Sequence, residues 1–256
     1  MRQRLAGSIV PRWDAPASVG AACTTRAGGV STGPWGDAEG EGGLNLGAAC
    51  GDDAARVATN RARLEAAIGM PVRWLQQVHG AEVVETGRLD GEAPRADAHF
   101  TTDRGVALAV LVADCLPVLL ADRAGSVVGA AHAGWRGLAA GVLESTVARI
   151  RARVPQAELV AWLGPCIGPA AFEVGTEVRE AFVAADPGAA HHFVPGLREG
   201  KWFADLPALA RRRLVRAGVA AITASGACTV ADAASFWSYR RDRTCGRMAA
   251  LVWLRT

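Results

Sequence analysis

Three residues that commonly bind metals stand where hydrophobic stretches of this 256-residue chain end. His79 closes the stretch QQVH, Cys115 closes VADC, and His132 closes GAAH just before a Gly-Trp-Arg-Gly turn. Two neutral imidazoles and one thiolate suit Zn²⁺, and three protein ligands leave a fourth position open, as in catalytic zinc sites. Zinc held in this way lowers the pKa of a bound water to about 7. If neighbouring strands bring the three residues together, the sequence predicts a catalytic zinc site.

Two further groups beside these residues could take part in chemistry. Asp114 lies inside an apolar run, where a buried carboxylate is costly unless it is paired or hydrogen-bonded. It could orient a ligand or take a proton, or it could simply satisfy a turn. Arg136 stands at a predicted helix start, where backbone N–H groups and a guanidinium together favour an anion. Trp135 beside it either offers a flat apolar surface to a ligand or belongs to the core.

The same residues also allow interpretations without zinc. A histidine that ends an apolar run is often a hydrogen-bonded core residue, which is one interpretation of His132. Cys115 could instead be a nucleophile, with His132 or His79 as its base. We expect His99 at the surface or in a turn, and the adjacent pair at 191–192 in a loop.

Composition narrows the classes of partner. The net charge is only +3, and no basic stripe interleaved with aromatics indicates nucleic-acid binding. The longest apolar run, Val106–Leu120, is too short to span a bilayer and contains Asp114 and Pro117. The start of the chain lacks the apolar segment of an export signal, so we expect the cytoplasm. The sequence leaves the oligomeric state open between a monomer and a small homo-oligomer.

Cysteine usage and an arginine cluster both have ordinary structural interpretations. No C-x-x-C motif is present, which argues against a zinc ribbon or thioredoxin-like redox chemistry. A chain of this kind is expected to keep its thiols reduced, and five of them are predicted to be small buried hydrophobic residues: Cys23, Cys50, Cys166, Cys228 and Cys245. The arginines of LPALARRRLVRAG are predicted to form a solvated helix face.

Hydrophobic periodicity and turn residues predict the elements that must position the site. We expect a helix over 53–69, with Asp52 or Asp53 near its start and Gly69 at its end. A strand is predicted to end at His79, and RAGGVSTGPWGDAEGEGGLNLG is predicted to be a surface loop. Other strands are expected within 18–25, 81–86, 105–115, 116–123, 126–133, 159–169, 220–226 and 247–255, and helices within 138–154, 175–186 and 205–218. With no repeat and no break in composition, the sequence predicts a single α/β (α+β) domain over residues 1–256, with a mixed sheet between helices.

Long motifs in the chain resemble the bacterial laccase-domain family of the YfiH/YlmD type. They are QQVHG, ADCLPVLL, AAHAGWRGLAAGVLE, AWLGPCIGP with AFEVG, and FWSYRRDRTCGRMAALVWL, together with TTRAGGVS, LNLG and NRARL upstream. The resemblance runs from about Cys23 to Leu254. It implies an α/β/β/α layered sandwich with mixed sheets and a zinc site formed by His79, Cys115 and His132. It also implies an active-site arginine on NRARL, either Arg61 or Arg63.

The family resemblance implies a zinc-dependent purine nucleoside phosphorylase. Adenosine, inosine and S-methyl-5'-thioadenosine would be its substrates, with hydrolytic deamination of adenosine as a second activity. Phosphorolysis needs a bound phosphate, which arginines could hold by charge-assisted hydrogen bonds; the candidates are Arg61, Arg26 and Arg136. Asn45 either faces the pocket or supports a turn. Asp114 and Glu173 are candidates for protonating the departing purine.

One departure from the family pattern and three rival functions remain. The insertion PWGDAEGEGG lengthens a loop before LNLG and could alter access to the pocket.

The laccase name suggests copper-dependent oxidation of phenols, but further copper centres need imidazoles and only three spare histidines remain. The remaining two rivals are a metal-free cysteine hydrolase and a purine-binding module without turnover. A zinc cytidine deaminase is excluded because its H-x-E and P-C-x-x-C motifs are missing.

Overall fold

The computed structural model describes residues 7–87 and 91–256, so the first six residues of the N-terminal stretch considered for an export signal lie outside it. Within the described ranges, fourteen strands are β1 (Val19–Cys23), β2 (Ala27–Ser31), β3 (Val72–Arg73), β4 (Val83–Glu85), β5 (Ala98–Thr101), β6 (Ala107–Val112), β7 (Leu116–Asp122), β8 (Val128–Ala133), β9 (Leu159–Leu163), β10 (Glu173–Gly175), β11 (Phe193–Pro195), β12 (Lys201–Ala204), β13 (Ala221–Ala224) and β14 (Met248–Leu254). Six α-helices accompany them: α1 (Ala54–Ile68), α2 (Trp135–Ala139), α3 (Val142–Arg153), α4 (Thr176–Val183), α5 (Leu206–Arg216) and α6 (Tyr239–Asp242). Two short 3₁₀ segments are Gly33–Trp35 and Pro187–His192.

Two mixed sheets form the centre of the molecule. One has the strand order β1-β14-β6-β3, and the other has the order β13-β9-β7-β8-β5-β4. Most neighbouring strands are antiparallel, but β3 runs parallel to β6, β4 to β5 and β13 to β9. A small antiparallel sheet, β10-β12-β11, lies apart from them. The mixed pairing agrees with the predicted α/β class.

Three apolar layers show how the sheets and helices stack. Leu64 and Ile68 of α1 pack with outer residues of the four-stranded sheet. Residues of β6, β7, β8, β9 and β14 form a second layer between the two sheets. The outer face of the six-stranded sheet packs against α3, α4 and α5 in the third layer. The order is therefore helix, sheet, sheet, helices, which confirms the α/β/β/α sandwich.

The capping residues of α1 explain why this helix was predictable. Asp53 is the N-cap, and its side chain accepts hydrogen bonds from the backbone N–H groups of Ala55 and Arg56. Gly69 follows the helix with φ +74°, the left-handed conformation that glycine adopts without steric cost. Both ends of the predicted helix are confirmed to within one residue.

The structure corrects two local predictions. The strand expected to end at His79 has only two residues, Val72–Arg73, and His79 lies in a bend with φ +62°. The glycine-rich stretch predicted as a surface loop contains β2 and is tied to α1, since Asn60 donates to the carbonyl oxygens of Gly43 and Asn45. A long-range contact overrides the local pattern in both places. No α-helix in the described part of the chain is long and apolar enough to cross a membrane.

Candidate metal centre

His79, Cys115 and His132 converge in the folded chain. One potential ligand atom from each lies within 4.8 Å of the others. The imidazole rings of His79 and His132 meet edge to face, with their centroids 4.8 Å apart. The strands explain the convergence on one side, because Leu116 of β7 pairs with Ala133 of β8 and so brings Cys115 beside His132. The sequence prediction that these three residues meet is borne out by this geometry.

The three side chains differ in exposure. His132 is 3% exposed and belongs to β8, whereas His79 is exposed in the bend after β3. Cys115 is half-buried in the bend just before β7. His132 is thus fixed within a strand and Cys115 at the beginning of its neighbour, whereas His79 faces solvent, from which a metal and a substrate could enter.

Asp97 links two of these three residues, His132 and His79. Its carboxylate accepts a hydrogen bond from Nδ1 of His132 at 2.8 Å and three more from the backbone N–H groups of Val78, His79 and Gly80 at 2.7–3.1 Å. Burial raises the pKa of this carboxyl, but these hydrogen bonds outweigh it and hold the pKa below its usual 3.8. Asp97 is therefore ionised at neutral pH and accepts all four hydrogen bonds. The local sequence around Asp97 gives no signal of this role, because its partners lie 17 to 35 residues away.

Cys115 and His132 stabilise each other's charged forms. Burial raises the pKa of the Cys115 thiol, but the imidazoles of His132 and His79 outweigh it and bring the pKa from 9.0 to about 6. Burial lowers the pKa of His132, yet the charge of Cys115 and the hydrogen bond to Asp97 raise it to about 9. Each of the two groups therefore favours the charged form of the other, a thiolate on Cys115 and an imidazolium on His132. A thiolate is the form of cysteine that binds metals and attacks electrophiles.

Two glycines let α2 approach the site closely. A Cβ built at Gly134 would lie 2.8 Å from Sγ of Cys115, and one at Gly137 would lie 2.6 Å from the carbonyl oxygen of Gly80. Real Cβ atoms essentially never come this close to other atoms, so a larger residue at either position would force its neighbour to move. The Gly-Trp-Arg-Gly turn is thus packed directly against Cys115 and the bend that carries His79.

Asp114 supports the turn that carries Cys115. Its φ of +88° is left-handed, and its carboxylate accepts hydrogen bonds from Oγ1 of Thr229 and from the backbone N–H of Arg240, both at 2.6 Å. Its own carbonyl oxygen accepts from the backbone N–H of Ile167. These contacts favour the interpretation of a satisfied turn aspartate over that of a proton carrier.

The arginines implied or inferred for anion binding occupy different places. Nε and Nη2 of Arg61 donate to the carbonyl oxygen of Leu46, and its guanidinium stacks on Trp74 at 4.3 Å. Arg61 lines a separate cavity of about 490 Å³. Arg136 is exposed at the start of α2, and its guanidinium stacks on Trp135 at 4.6 Å. Arg136 is the one that adjoins the metal centre along the chain.

Arg26 and Asn45 hold loops together in the structure. Arg26 donates to the carbonyl oxygens of Gly36 and Ala233, and burial lowers its pKa. The Asn45 side chain is fully buried; it accepts from the backbone N–H groups of Gly47 and Arg247 and donates to Asp52. These contacts favour the turn role for Asn45.

Other candidates lie away from the cluster. The carboxylate of Glu173 is 2.7 Å from Nη2 of Arg198, an ion pair at the surface. The prediction that His99 is at the surface or in a turn was wrong, because it is fully buried in β5. His191 and His192 belong to the second 3₁₀ segment rather than to an irregular loop.

All six cysteines lie in described parts of the chain and are free thiols, as the sequence analysis predicted. Cys23, Cys166 and Cys245 are buried, and burial raises the pKa of each, which fits the predicted role of inert core residues. Cys50 and Cys228 are partly exposed, so for these two the prediction of burial was wrong.

Comparison with known proteins identifies the family of this chain. A family model described as multi-copper polyphenol oxidoreductase laccase matches residues 20–255. The chain is 51% identical over 246 residues to a Pseudomonas aeruginosa protein named purine nucleoside phosphorylase PA4543, covering 96% of this chain and 98% of the relative. It is 50% identical over 251 residues to the Escherichia coli K12 protein named purine nucleoside phosphorylase YfiH, again covering 96% and 98%.

A solved structure has the same architecture. The crystal structure of Neisseria meningitidis protein NMB0706 matches with a TM-score of 0.91 and 46% sequence identity, covering 98% of this chain and 100% of that one. The chain therefore belongs to the laccase-domain family of the YfiH/YlmD type, as the sequence motifs indicated.

Proposed function

We propose that this protein is a zinc-dependent purine nucleoside phosphorylase whose reaction centre is formed by His79, Cys115 and His132. The observation that carries the proposal is the convergence of these ligand atoms within 4.8 Å. It is supported by relatives about half identical over nearly the whole chain that carry the name purine nucleoside phosphorylase. Adenosine, inosine and S-methyl-5'-thioadenosine are the proposed substrates, and deamination of adenosine is a proposed second activity.

The three side chains fit zinc by their chemistry. One thiolate and two imidazoles form a borderline-soft donor set, and the lowered pKa of Cys115 favours its ligating form at neutral pH. His132 uses Nδ1 to donate to Asp97, which leaves Nε2 for a metal. Zinc bound there would supply a Lewis acid with an open position that polarises water or a purine atom.

The protein's own groups around the cluster would bind the rest of the substrate. Phosphorolysis joins a phosphate oxygen to C1' of the ribose as the bond from C1' to the purine breaks, so an anion must be held near the nucleoside. The exposed guanidinium of Arg136, at the start of α2 beside the site, is our first candidate for that role. Trp135 is partly exposed beside Arg136 and is a candidate for apolar contact with the base. Arg61 is a second candidate, since the family resemblance implies an active-site arginine there.

Copper-dependent phenol oxidation is the weaker alternative. Multicopper oxidation requires several copper centres rich in imidazole. Within residues 7–87 and 91–256, His79, Cys115 and His132 form the one group of three or more potential metal ligands. The ligands of a second centre are therefore missing from the described chain.

A metal-free thiol mechanism is the stronger alternative, because a specific observation favours it. The thiolate form of Cys115 is stabilised beside a protonated His132, the arrangement that activates a cysteine nucleophile. Zinc ligation and nucleophilic attack use the same sulfur. Removing the metal separates the two: a thiol enzyme keeps its activity in chelator, whereas a zinc enzyme loses it.

The decisive experiment is incubation of metal-quantified protein with adenosine, with and without phosphate, followed by chromatography of the products. We expect about one zinc per chain, and adenine with ribose-1-phosphate only when phosphate is present. Inosine would report deamination. A chelator should abolish turnover, and zinc should restore it. Adenosine recovered unchanged in the presence of phosphate and zinc would overturn the proposal.

A pair of histidine variants gives a matched control. His79 and His191 are both exposed, but only His79 belongs to the cluster. His79→Ala should lose zinc and turnover together, whereas His191→Ala should retain both. Equal turnover in the two variants would argue against the proposed centre.

A further inference from the structure

Asp97 is a fully buried carboxylate with four hydrogen-bond donors around it, and these donors come from the segments that carry both His79 and His132. Oδ1 accepts from Nδ1 of His132 and from the backbone N–H of His79, and Oδ2 accepts from the N–H groups of Val78 and Gly80. We propose that Asp97 is a positioning residue that presents two metal ligands at once. The inference rests on the proposed metal centre.

The first effect concerns the tautomer of His132. An ionised carboxylate can only accept hydrogen bonds, so the bond of 2.8 Å requires a proton on Nδ1 of the imidazole. In a neutral ring, Nε2 then carries the lone pair that binds a metal. The backbone N–H of His132 also donates to the carbonyl oxygen of Asp97 at 2.7 Å, which fixes the residue from its main chain as well. Ring orientation and tautomer are thus set by one neighbour.

The second effect concerns the backbone at His79. Its φ of +62° lies in the left-handed region, which residues with a Cβ adopt only when other interactions hold them there. Three successive N–H groups, from Val78 to Gly80, point at the two oxygens of Asp97. These three hydrogen bonds hold an exposed bend in the conformation that directs His79 toward His132. The short strand β3 ends six residues earlier and cannot do so alone.

An asparagine at position 97 would have nearly the same shape but could not serve both ligands. If its NH₂ group faced His132, the imidazole would have to accept at Nδ1, and Nε2 would then carry the proton and lose its metal-binding lone pair. If its NH₂ group faced Val78 and Gly80, it would meet two N–H donors and release the bend. Either orientation impairs one ligand.

The test compares the zinc affinity of wild type and Asp97→Asn by competition with a chromophoric chelator. Loss of such outer-shell support typically weakens metal binding about 10–100-fold, and we expect a decrease of this size. Asp122→Asn is the matched control. Asp122 is also buried, and it accepts from Oγ of Ser126 and from the N–H of Glu158, away from the ligands. The control should bind zinc like wild type.

The outcomes separate this inference from the proposed function. If wild type itself fails to bind zinc, the proposed metal centre is wrong. If wild type binds zinc tightly and Asp97→Asn binds it equally well, the centre stands and the positioning role of Asp97 is refuted. A decrease confined to Asp97→Asn supports the role.

A second measurement needs no variant and so does not depend on whether Asp97→Asn folds. Nitrogen NMR of zinc-loaded wild type with ¹⁵N-labelled histidine reports which ring nitrogen carries the proton. We expect the proton of His132 on Nδ1 and the metal on Nε2. A zinc-bound His132 with its proton on Nε2 would overturn the inference.

Discussion

His99 and His132 are both buried and lie on paired strands, yet their pKa values are shifted in opposite directions. Burial in β5 lowers the pKa of His99 to about 3, and a hydrogen bond with the backbone of Ala109 offsets this only in part. Burial lowers the pKa of His132 as well, but Cys115 and Asp97 raise it to about 9. The surroundings of each ring, rather than its residue type, decide whether it carries a proton at neutral pH.

His99 makes stability depend on pH in a defined direction. Its pKa is about 3 in the folded chain and about 6.5 in the unfolded chain, so only the unfolded state gains its proton between these values. Stability from this group is therefore full above pH 6.5 and falls as the pH is lowered. Between pH 7 and pH 5, we expect wild type to lose about 2 kcal/mol more free energy of unfolding than His99→Gln.

Urea denaturation in excess chelator at several pH values measures this difference. Chelation removes the metal from both proteins, so the ionisation of the empty ligand cluster contributes equally to each. His191→Gln is the control, because His191 is exposed and its replacement should leave the wild-type pH dependence unchanged. Parallel pH profiles for wild type and His99→Gln would contradict the assigned pKa.

Sequence patterns identified the three residues that converge but not the residues that support them. His79, Cys115 and His132 are scarce residue types beside glycine and proline turns, and this pattern alone made them candidates. Asp97 has no local signal, since its partners come from two distant segments of the chain. His99 stands in a short strand with polar flanks, RADAHFTT, so its local pattern gave no sign that β4 and β8 would cover it.

At the scale of elements, the helix α2 packs directly against the candidate metal centre. Its Gly137 packs on the carbonyl of Gly80, in the bend that carries His79. Alanine normally stabilises a helix interior by about 1 kcal/mol relative to glycine. Here we expect the reverse for Gly137→Ala, because the new methyl would push against a backbone oxygen and displace the bend.

Metal titration of Gly137→Ala tests this expectation. We expect zinc affinity to fall by about tenfold or more, a loss typical of disturbed ligand support. Gly91→Ala is the control, since a Cβ at Gly91 meets no atom of the described chain within 4 Å. If Gly137→Ala binds zinc as tightly as wild type, the bend can shift to make room for the methyl group without weakening zinc binding, which would contradict this prediction.

Elements whose ends are set by their own residues were predictable, and those set by distant contacts were not. The helix α1 begins at the cap Asp53 and ends before Gly69, both visible in the sequence. The strand predicted to reach His79 stops at Arg73 because the chain then turns toward Asp97, a contact between separate layers of the molecule. Layer order itself came from the family resemblance, since periodicity does not say which strands share a sheet.

At the scale of the whole molecule, the site lies where the chain crosses between the two sheets. His79 follows β3 of the four-stranded sheet and precedes β4 of the six-stranded one. Cys115 lies between β6 and β7, which also belong to different sheets, whereas His132 is within β8. A metal bound by these residues would connect both of the segments that pass between the sheets to strand β8.

Zinc should therefore stabilise the whole fold and not only the site. A ligand that binds the folded state at about 100 times its Kd adds about 2.7 kcal/mol to the free energy of unfolding. For a domain of this size, each kcal/mol moves the Tm by about 2–4 °C, so chelation should lower the Tm by about 5–10 °C. Calorimetry of the zinc-loaded and chelated protein measures the shift.

The variant His79→Ala is the control. It should have the same Tm with and without chelator, because it lacks the proposed zinc ligand between β3 and β4. A wild-type Tm that is indifferent to chelator would mean that the three residues do not join the sheets through a metal.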